Sequence, residues 1–262
     1  MMRALNTAGT GMVAQQMNLD VLANNLANVN TTGFKSQRAE FQDLMYQTYR
    51  SSGATVGGTF TAPESAQIGL GSRFVASATS FGQGALQNSS GTFDMAILGE
   101  GFFKVSMPDG SFAYTRDGSF RTDANGLVVN QDGYPLEPAI TVESGTTSIT
   151  ISQDGTVSGT TPGSDSPSTI GNITVSVFPN PGGLTRIGQN LFRSGGNSGD
   201  AQDVTPGSQG SGGIVQGHLE GSNVQIVDEM VRMITAQRAY EINSKAIMTA
   251  DEMLSILNNL KR

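Results

Sequence analysis

The sequence predicts an α+β fold, in which N- and C-terminal heptad helices form a helical, coiled-coil domain and an antiparallel β-rich domain is inserted between them. At both ends of the 262-residue chain, apolar residues recur every seven positions, which is the spacing of a helix that packs on another helix. Between the ends, short β-prone runs alternate with Asp-Gly and Asn-Gly pairs, which favour hairpin turns. All nine prolines lie from Pro63 to Pro206, so the middle of the chain is built differently from its ends.

The N-terminal helix is expected over residues 1–35. The residues predicted to form its seam are Leu5, Met12, Leu19, Leu22, Leu26 and Val29. Up to Gly33 the only charged residues are Arg3 and Asp20, whereas a helix face in water usually carries Lys and Glu. Because Asn and Thr are mediocre helix formers, this segment should be marginal alone. The pattern therefore predicts a helix buried among copies of itself, with an ordinary surface helix as the alternative.

The C-terminal helix is expected over residues 222–262, where Gly and Pro are absent. Its predicted seam residues are Ile226, Met233, Tyr240, Ile247, Leu254 and Leu257, and polar Asn243 falls in the same line. Ser222 and Gln225 have the spacing of a capping box, which marks a helix start. At 1.5 Å per residue such a helix is about 55 Å long. A helix of that length needs a long partner, and the N-terminal helix is the natural one.

Residues 36–67 are expected to form a partly helical linker followed by an extended arm. Phe41, Leu44 and Met45 are spaced by three and four, as on a helix, whereas the residues after position 50 are rich in Gly, Ser and Thr. The β-rich domain is expected over residues 68–221. Its predicted strands are Asp94–Leu98, Phe102–Met107, Phe112–Thr115, Leu127–Asn130, Thr147–Ile151 and Ile173–Phe178.

No constellation of catalytic or metal-ligating residues is recognisable in the sequence. His218 is the one histidine and there is no cysteine, which leaves no Cys–His pair, thiolate metal site or disulfide. The acidic residues around Asp123 lack the alternating ligands and the closing Glu of an EF-hand loop, so hairpin turns explain them better than calcium binding. We therefore expect a protein that is not an enzyme and has no catalytic, cofactor-binding or metal-binding residues.

The net charge of −7 is unevenly distributed. Residues 51–221 carry 6 basic and 14 acidic residues, a net charge of −8, while the two ends together carry 9 basic and 8 acidic residues. This predicts a solvated middle and packed ends. No basic cluster indicates nucleic-acid binding, and no apolar run approaches the ~18 residues of a membrane span. The N-terminus also lacks the basic start and apolar core of a secretory signal peptide.

Two long motifs resemble those of the bacterial flagellar basal-body rod and hook protein family. The first runs from Ala23 to Lys35 and reads Ala-Asn-Asn-Leu-Ala-Asn-Val-Asn-Thr-Thr-Gly-Phe-Lys; the second runs from Met233 to Lys245. Shorter runs from Phe41, Gly101 and Tyr114 are similar to rod members of this family. The family-motif residues are Asn24, Asn25, Asn28, Gly33, Phe34, Arg238, Tyr240 and Asn243.

The resemblance implies a structural subunit that polymerises into the rigid distal rod of the flagellar basal body and transmits torque from motor to hook. The implied partners are copies of the chain in a helical homopolymer, proximal rod proteins, hook-side axial proteins, the surrounding basal-body rings and the flagellar type III export apparatus. The implied location is the periplasmic rod, which crosses toward the outer membrane. The alternatives are another axial subunit, such as a proximal rod protein, or a secreted monomeric β-rich binding protein.

Residues 46–67 are the candidate rod-type arm, with Tyr46, Arg50, Pro63 and Gln67 as its marker residues. By resemblance, the hook subunit lacks this segment, and a hook bends whereas a rod must stay straight. The arm is therefore predicted to become ordered against neighbouring subunits and to fix their sliding register. A disordered linker is the alternative.

Overall fold

The computed structural model describes residues 2–52, 55–56, 60–61, 63–143, 145–161, 167–208 and 210–260. The chain divides into two compact units, each built from separated segments. The first unit consists of Met1–Leu26, Gln37–Ala78 and Gln225–Arg262, and the second of Ala27–Ser36 and Thr79–Val224. The two terminal helices therefore share one unit, and most of the β-rich middle forms the other.

Helix α1 spans Met2–Ala27 and helix α2 spans Ile226–Leu260, so the prediction of a helix at each end is confirmed. Both helices are shorter than predicted. After α1 the residues favour turns: the Thr31 amide donates to the Asn28 carbonyl at 3.1 Å, and Gly33 adopts a φ of +68°. Before α2, the hydroxyl of Ser222 accepts a hydrogen bond from the amide of Val224 at 3.2 Å. The predicted cap at Ser222 was wrong, because this hydroxyl closes a local turn instead.

The two helices run antiparallel within the first unit. A Cβ atom added to Gly11 would lie 3.0 Å from Nδ2 of Asn243, and Nδ2 of Asn25 donates to Oε2 of Glu229 at 3.3 Å. The contact positions, 11 and 25 on α1 and 243 and 229 on α2, are equally spaced on the two helices and reversed in order. Their spacing is two heptads, so the pair keeps one register over about 20 Å.

The middle segment of the first unit, which lies along the chain between the two segments of the second unit, forms nested antiparallel strand pairs. Strand β1 (Gln37–Asp43) pairs with β6 (Ser72–Thr79), β2 (Tyr46–Arg50) with β5 (Ala66–Gly69), and β3 (Thr55–Val56) with β4 (Phe60–Thr61). The prediction of a partly helical linker was wrong here. Cross-strand packing stabilises the strands: the rings of Phe41 and Phe74 meet edge to face, with their centres 6.1 Å apart. This packing outweighs the weak helix preference that the spacing of a few apolar residues indicated.

The described part of the second unit consists of short antiparallel strands joined by turns. They are β7 (Leu86–Asn88), β8 (Met95–Leu98), β9 (Phe103–Ser106), β10 (Phe112–Thr115), β11 (Arg121–Thr122), β12 (Val128–Val129), β13 (Leu136–Glu137), β14 (Ser148–Ile151), β15 (Thr156–Thr160), β16 (Ser168–Asn172), β17 (Val175–Val177), β18 (Thr185–Gly188), β19 (Leu191–Arg193), β20 (Gln202–Val204), β21 (Gly213–Gln216) and β22 (His218–Glu220). A short 3-10 helix, Pro181–Gly183, precedes β18. The predicted antiparallel β-rich middle is confirmed, and each predicted strand overlaps an observed one.

These strands form one larger sheet and several small ones. The larger sheet has the order β13-β9-β10-β19-β18, a second sheet has the order β14-β15-β16, and the remaining strands pair as β11–β12, β17–β20, β8–β21 and β7–β22. Side chains alternate along β9, where Phe103 and Val105 point into the main apolar core and Lys104 does not. A second cluster contains Phe102, Tyr114, Phe178, Leu184 and Phe192. The second unit therefore has its own core.

Most of the predicted hairpin glycines occupy turns. Gly110, Gly126, Gly133 and Gly155 take φ between +78° and +86°, the conformation that Asp-Gly and Asn-Gly turns require. Gly118 differs, because a Cβ atom there would lie 1.5 Å from the Met95 carbonyl oxygen. As an Asp-Gly pair, Asp117-Gly118 was predicted to form a hairpin turn. In the structure Gly118 instead allows the backbone to pack closely against β8.

Candidate assembly site

Helix α2 carries a bare apolar patch on its first turns, which we call the α2 patch. Its members are 47–73% exposed: Ile226, Val227, Met230, Val231 and Ile234. At about 100° per residue they lie on one side of the helix. On the other side, Glu229 and Ala236 are buried and Met233 is half-buried. A helix that is buried on one side and apolar on its open side is typical of a helix that packs in more than one direction.

The first unit has a very small core of its own. Among its described residues, only four apolar side chains are less than a tenth exposed: Ala14, Leu22, Ala236 and Ala250. Three of the four are alanines, which bury little area. Because the stability of paired helices comes mainly from burial of an apolar face, the helix pair gains little stability from its own contacts.

The predicted seam residues differ in exposure. Leu22 is buried; Leu5, Met12, Leu19, Leu26, Val29, Met233, Ile247 and Leu254 are half-buried; and Ile226 and Tyr240 are exposed. The side chain of Leu257 lies outside the described residues. Asn243, in the predicted seam line, faces Gly11 of α1. The heptad seam as a whole stays a prediction.

An apolar groove runs along the first half of α1, and we call it the α1 groove. Its volume is about 570 Å³, and it lies between α1 and the hairpin that β1 and β6 begin. Its lining residues include Leu5, Gly9, Val13, Met17, Leu44 and Phe74. Val13 lies about 200° around the helix from Gly11, so the groove is on the side of α1 that faces away from α2.

The family-motif residue Asn25 is buried and joins three segments of the first unit. Its Nδ2 donates to the Gln37 carbonyl at 2.7 Å, and its Oδ1 accepts from the Gln37 amide at 2.9 Å. The same Nδ2 contacts Glu229 at the start of α2. A side-chain amide holds its donor and its acceptor side by side, so Asn at this position can bond both the amide and the carbonyl of one backbone residue.

Other family-motif residues act locally or lie exposed. Oδ1 of Asn28 accepts a hydrogen bond from Thr31 at 3.1 Å, which supports the turn after α1. Arg238 forms an exposed ion pair with Glu241 at 3.2 Å. Asn24 is exposed on α1. The arm residues Tyr46, Arg50, Pro63 and Gln67 are all exposed as well, and residues 53–54, 57–59 and 62 of the arm lie outside the described residues.

Gly33 and Phe34 are each held by close contacts in the second unit. The Gly33 amide donates to the Glu220 carbonyl at 2.7 Å, and a Cβ atom on Gly33 would lie 2.5 Å from the Asp117 nitrogen. The Arg186 guanidinium lies 5.2 Å from the centre of the Phe34 ring and donates to the Lys35 carbonyl. These contacts bind the residues that follow α1 to the β-rich core.

A buried ionic cluster lies beside these residues. Nζ of Lys35 donates to Oε1 of Glu220 at 2.6 Å, and Nη1 of Arg116 donates to Oε2 of the same carboxylate at 3.2 Å. Nζ also donates to the Gly82 carbonyl at 2.8 Å, and Nη2 of Arg116 donates to the Gly99 carbonyl at 2.6 Å. Burial lowers the pKa of Lys35 and of Arg116, and the carboxylate of Glu220 opposes both shifts.

Sequence reasoning missed Glu220, Arg116 and Arg186. One sign was present: Lys35 is a lone charge that closes an otherwise uncharged motif, and a buried partner would explain it. Its partners are far away in sequence, on β22 and just after β10. Nothing in a single sequence joins these positions.

Substitution of Gly33 by Ala is expected to destabilise the second unit by about 2–4 kcal/mol, measured by urea unfolding. The cost has two parts, the positive φ and the clash of the new methyl group with the backbone at Asp117. Gly110→Ala is the matched control, because Gly110 has a φ of +78° but no atom within 4 Å of an added Cβ. It should lose only the conformational part, about 1 kcal/mol. Equal losses in the two variants would contradict the role of the close contact.

Asp117→Asn is expected to remove a pH dependence of stability. Burial raises the pKa of Asp117 above its usual 3.8, although hydrogen bonds from Ser119 oppose the shift. Between 3.8 and the raised pKa, the folded chain holds a proton that the unfolded chain has released. The free energy of unfolding therefore falls as pH rises through this window. Urea unfolding from pH 3.5 to 6 checks this, and an identical slope in parent and variant would contradict it.

Neither described helix combines the length and apolarity that a membrane crossing demands. In the same part of the chain, no group of three or more His, Cys, Asp or Glu side chains is placed to hold a metal ion.

Three family models match separate parts of the chain. Residues 5–35 match "Flagella basal body rod protein", residues 96–159 match "Flagellar hook protein FlgE/F/G D1 domain", and residues 215–260 match "Flagellar basal body rod FlgEFG protein C-terminal". The first of these ranges ends at Lys35 and the last contains Glu220. The buried ion pair thus joins two of the matched segments.

Curated proteins are similar to the chain over its whole length. The flagellar basal-body rod protein FlgG of Borreliella burgdorferi is 52% identical over 264 residues, which cover 100% of both chains. FlgG of Buchnera aphidicola subsp. Schizaphis graminum is 46% identical over 99% of this chain and 100% of its own length. FlgG of Bacillus subtilis is 42% identical over 100% of both chains.

Proposed function

We infer the role of this chain from the premise that it belongs to the flagellar basal-body rod protein family. It is a structural subunit of the distal rod, and its place is the flagellar basal body. We propose that copies of the chain polymerise into a helical shaft, and that this shaft transmits torque from motor to hook. The observation that supports polymerisation best is the α2 patch, whose apolar side chains are 47–73% exposed while the opposite side of the helix is buried within its own chain.

The same proposal gives each segment of the chain a role. Helices α1 and α2 form the inner, packed part of the shaft, and the predicted seam residues from Leu5 to Leu257 hold it together. The acidic β-rich segment 68–221 faces outward. The chain is not an enzyme, and it acts by packing alone.

We propose that the partners beyond the chain's own copies are the proximal rod proteins, the hook-side axial proteins, the basal-body rings and the flagellar type III export apparatus. The rod lies in the periplasm and crosses toward the outer membrane. Support for these partners and for this location comes from family membership.

Sedimentation of the purified chain over a range of concentrations tests the function. Long assemblies are expected above a threshold concentration, and electron microscopy should show straight shafts with helical symmetry. A chain that stays monomeric at every concentration, or that forms only closed dimers, would contradict a polymer subunit. The alternative of a secreted monomeric binding protein predicts the first of these outcomes, a monomer at every concentration.

We propose that the hairpin of β2 to β5 is the arm that keeps the shaft straight. Tyr46, Tyr49 and Ile68 on its paired strands are 52–55% exposed. A two-stranded hairpin is marginally stable in water unless something packs against it. Neighbouring subunits would supply that packing, and the contacts would prevent subunits from sliding along the shaft.

Shortening this arm is expected to give curved or flexible shafts. Arg50 and Ala66 face each other in the β2–β5 pairing, so residues 51–65 can be replaced by Asn-Gly, which closes two paired strands in a tight turn. The control keeps the length and replaces residues 51–65 with Gly and Ser. Curvature and persistence length are measured by electron microscopy. If both variants give shafts as straight and stiff as the parent, rigidity lies elsewhere.

A further inference from the structure

The first unit carries two bare apolar surfaces, the α1 groove and the α2 patch, on two different helices. We propose that the α1 groove of one subunit binds the α2 patch of a neighbouring copy. The proposal rests on the proposed function, a polymer of this chain, and adds which surfaces meet in it.

The shapes of the two surfaces match. One wall of the groove is a helix and the other is the edge of a hairpin, which is the form of site that receives an amphipathic helix. Such a helix presents anchors at positions i, i+4 and i+7. The α2 patch does so with Val227, Val231 and Ile234, which are 73%, 56% and 54% exposed.

The polar groups of the two surfaces are complementary as well. Arg73 is the one charged residue among the groove's lining residues, and its Nη2 donates to Oε1 of Gln42 at 2.9 Å. Asp228 on α2 borders the patch and is exposed. A neighbour seated in the groove can therefore bring a carboxylate toward the guanidinium, which favours one orientation.

The positions of the two surfaces explain why the contact is made between copies. Along α1, the middle of the groove lies at the height of Gly11, which faces α2 on the opposite side of the helix and is level with Asn243. The patch is centred near Met230, which is about 20 Å away along α2. Moreover, the groove is on the side of α1 that faces away from α2. A subunit cannot fill its own groove with its own patch.

This arrangement produces an open assembly. The groove and the patch are different surfaces, so a bound pair still has a free groove at one end and a free patch at the other. Contacts of this head-to-tail kind extend into helical filaments when the rotation does not close. Each contact would displace the neighbour by about 20 Å along the helix pair.

A complementation experiment tests the proposal with two single variants. Val13→Asp places a charge in the groove and Val231→Asp places one in the patch. Both side chains are more than half exposed, so the fold of the subunit should survive, which circular dichroism checks. Each variant alone should raise the threshold concentration for assembly roughly tenfold or more.

An equimolar mixture of the two variants should form dimers and stop there. The intact patch of Val13→Asp fits the intact groove of Val231→Asp, and the other two surfaces are blocked. Sedimentation velocity should show a species of twice the subunit mass, which is absent from each variant alone and from mixtures with the double variant. Gln16→Glu and Thr235→Asp, exposed positions outside groove and patch, should assemble like the parent.

The outcomes separate this proposal from the function on which it rests. If the parent never assembles, the polymer function fails and this contact fails with it. If the parent assembles and either single variant assembles equally well, the function stands and the contact is wrong. A mixture that remains monomeric, or controls that lose assembly as strongly as the two variants, would also overturn the contact.

Discussion

Substitution of Glu220 by Ala is expected to destabilise the second unit by about 3–5 kcal/mol, because it leaves buried charges without a partner. The carboxylate of Glu220 is fully buried and accepts hydrogen bonds from Lys35, Arg116 and the amide of Gly84. Without it, Lys35 can release its proton, but the guanidinium of Arg116 cannot. A loss of this size is a large share of the stability of an ordinary domain.

Urea unfolding of the purified chain measures this loss, and an exposed ion pair provides the matched control. Glu241 pairs with Arg238 at 3.2 Å on the surface of α2, so Glu241→Ala should cost at most about 1 kcal/mol. Adding Lys35→Met to Glu220→Ala should recover part of the loss, because it removes one of the two unpaired cations. Similar losses for Glu220→Ala and Glu241→Ala would show that the buried cluster contributes little to stability.

Substitution of Ile247 by Asp is expected to abolish assembly while the β-rich unit stays folded. Ile247 is half-buried on the side of α2 that faces α1, and an unpaired carboxylate in a helix interface costs several kcal/mol. Since the pair has few large buried side chains of its own, it cannot absorb such a cost. Leu19→Asp on α1 should have the same effect.

Pelleting assays measure the loss of assembly, and amide hydrogen exchange reports whether strands β7 to β22 stay protected. Thr249→Asp is the matched control, because Thr249 is exposed on the same turn of α2 as Ile247. It introduces the same charge outside the predicted seam and should assemble normally. Normal shafts from Ile247→Asp or Leu19→Asp would count directly against a polymer held by paired terminal helices.

Most strands of the second unit, and a helix at each end of the chain, could be predicted from local sequence. Asp-Gly pairs and alternating apolar residues depend on neighbours within a few positions, so each predicted strand, such as Phe112–Thr115, overlaps an observed one. The nested hairpin from β1 to β6 could not be predicted in this way. Its strands pair across many residues, and the energy of that pairing outweighs the local spacing of Phe41, Leu44 and Met45.

The candidate assembly site, too, could be predicted only in part from local sequence. Periodicity alone located the helices, and the motif from Ala23 to Lys35 located the residues that join α1 to the rest of the chain. No local pattern could reveal that Lys35, Arg116 and Glu220 meet, since 81 and 104 residues separate Arg116 from the other two.

By itself the sequence determined that this protein has a helix at each end and a β-rich middle, because secondary structure and turn chemistry depend mainly on residues close along the chain. Only the tertiary structure decided the antiparallel register of α1 and α2, the nested hairpin and the buried ionic cluster. These features depend on which distant surfaces exclude water from each other and on which buried charges find a partner. The spacing of residues along the chain specifies neither which surfaces pack together nor which buried charges pair.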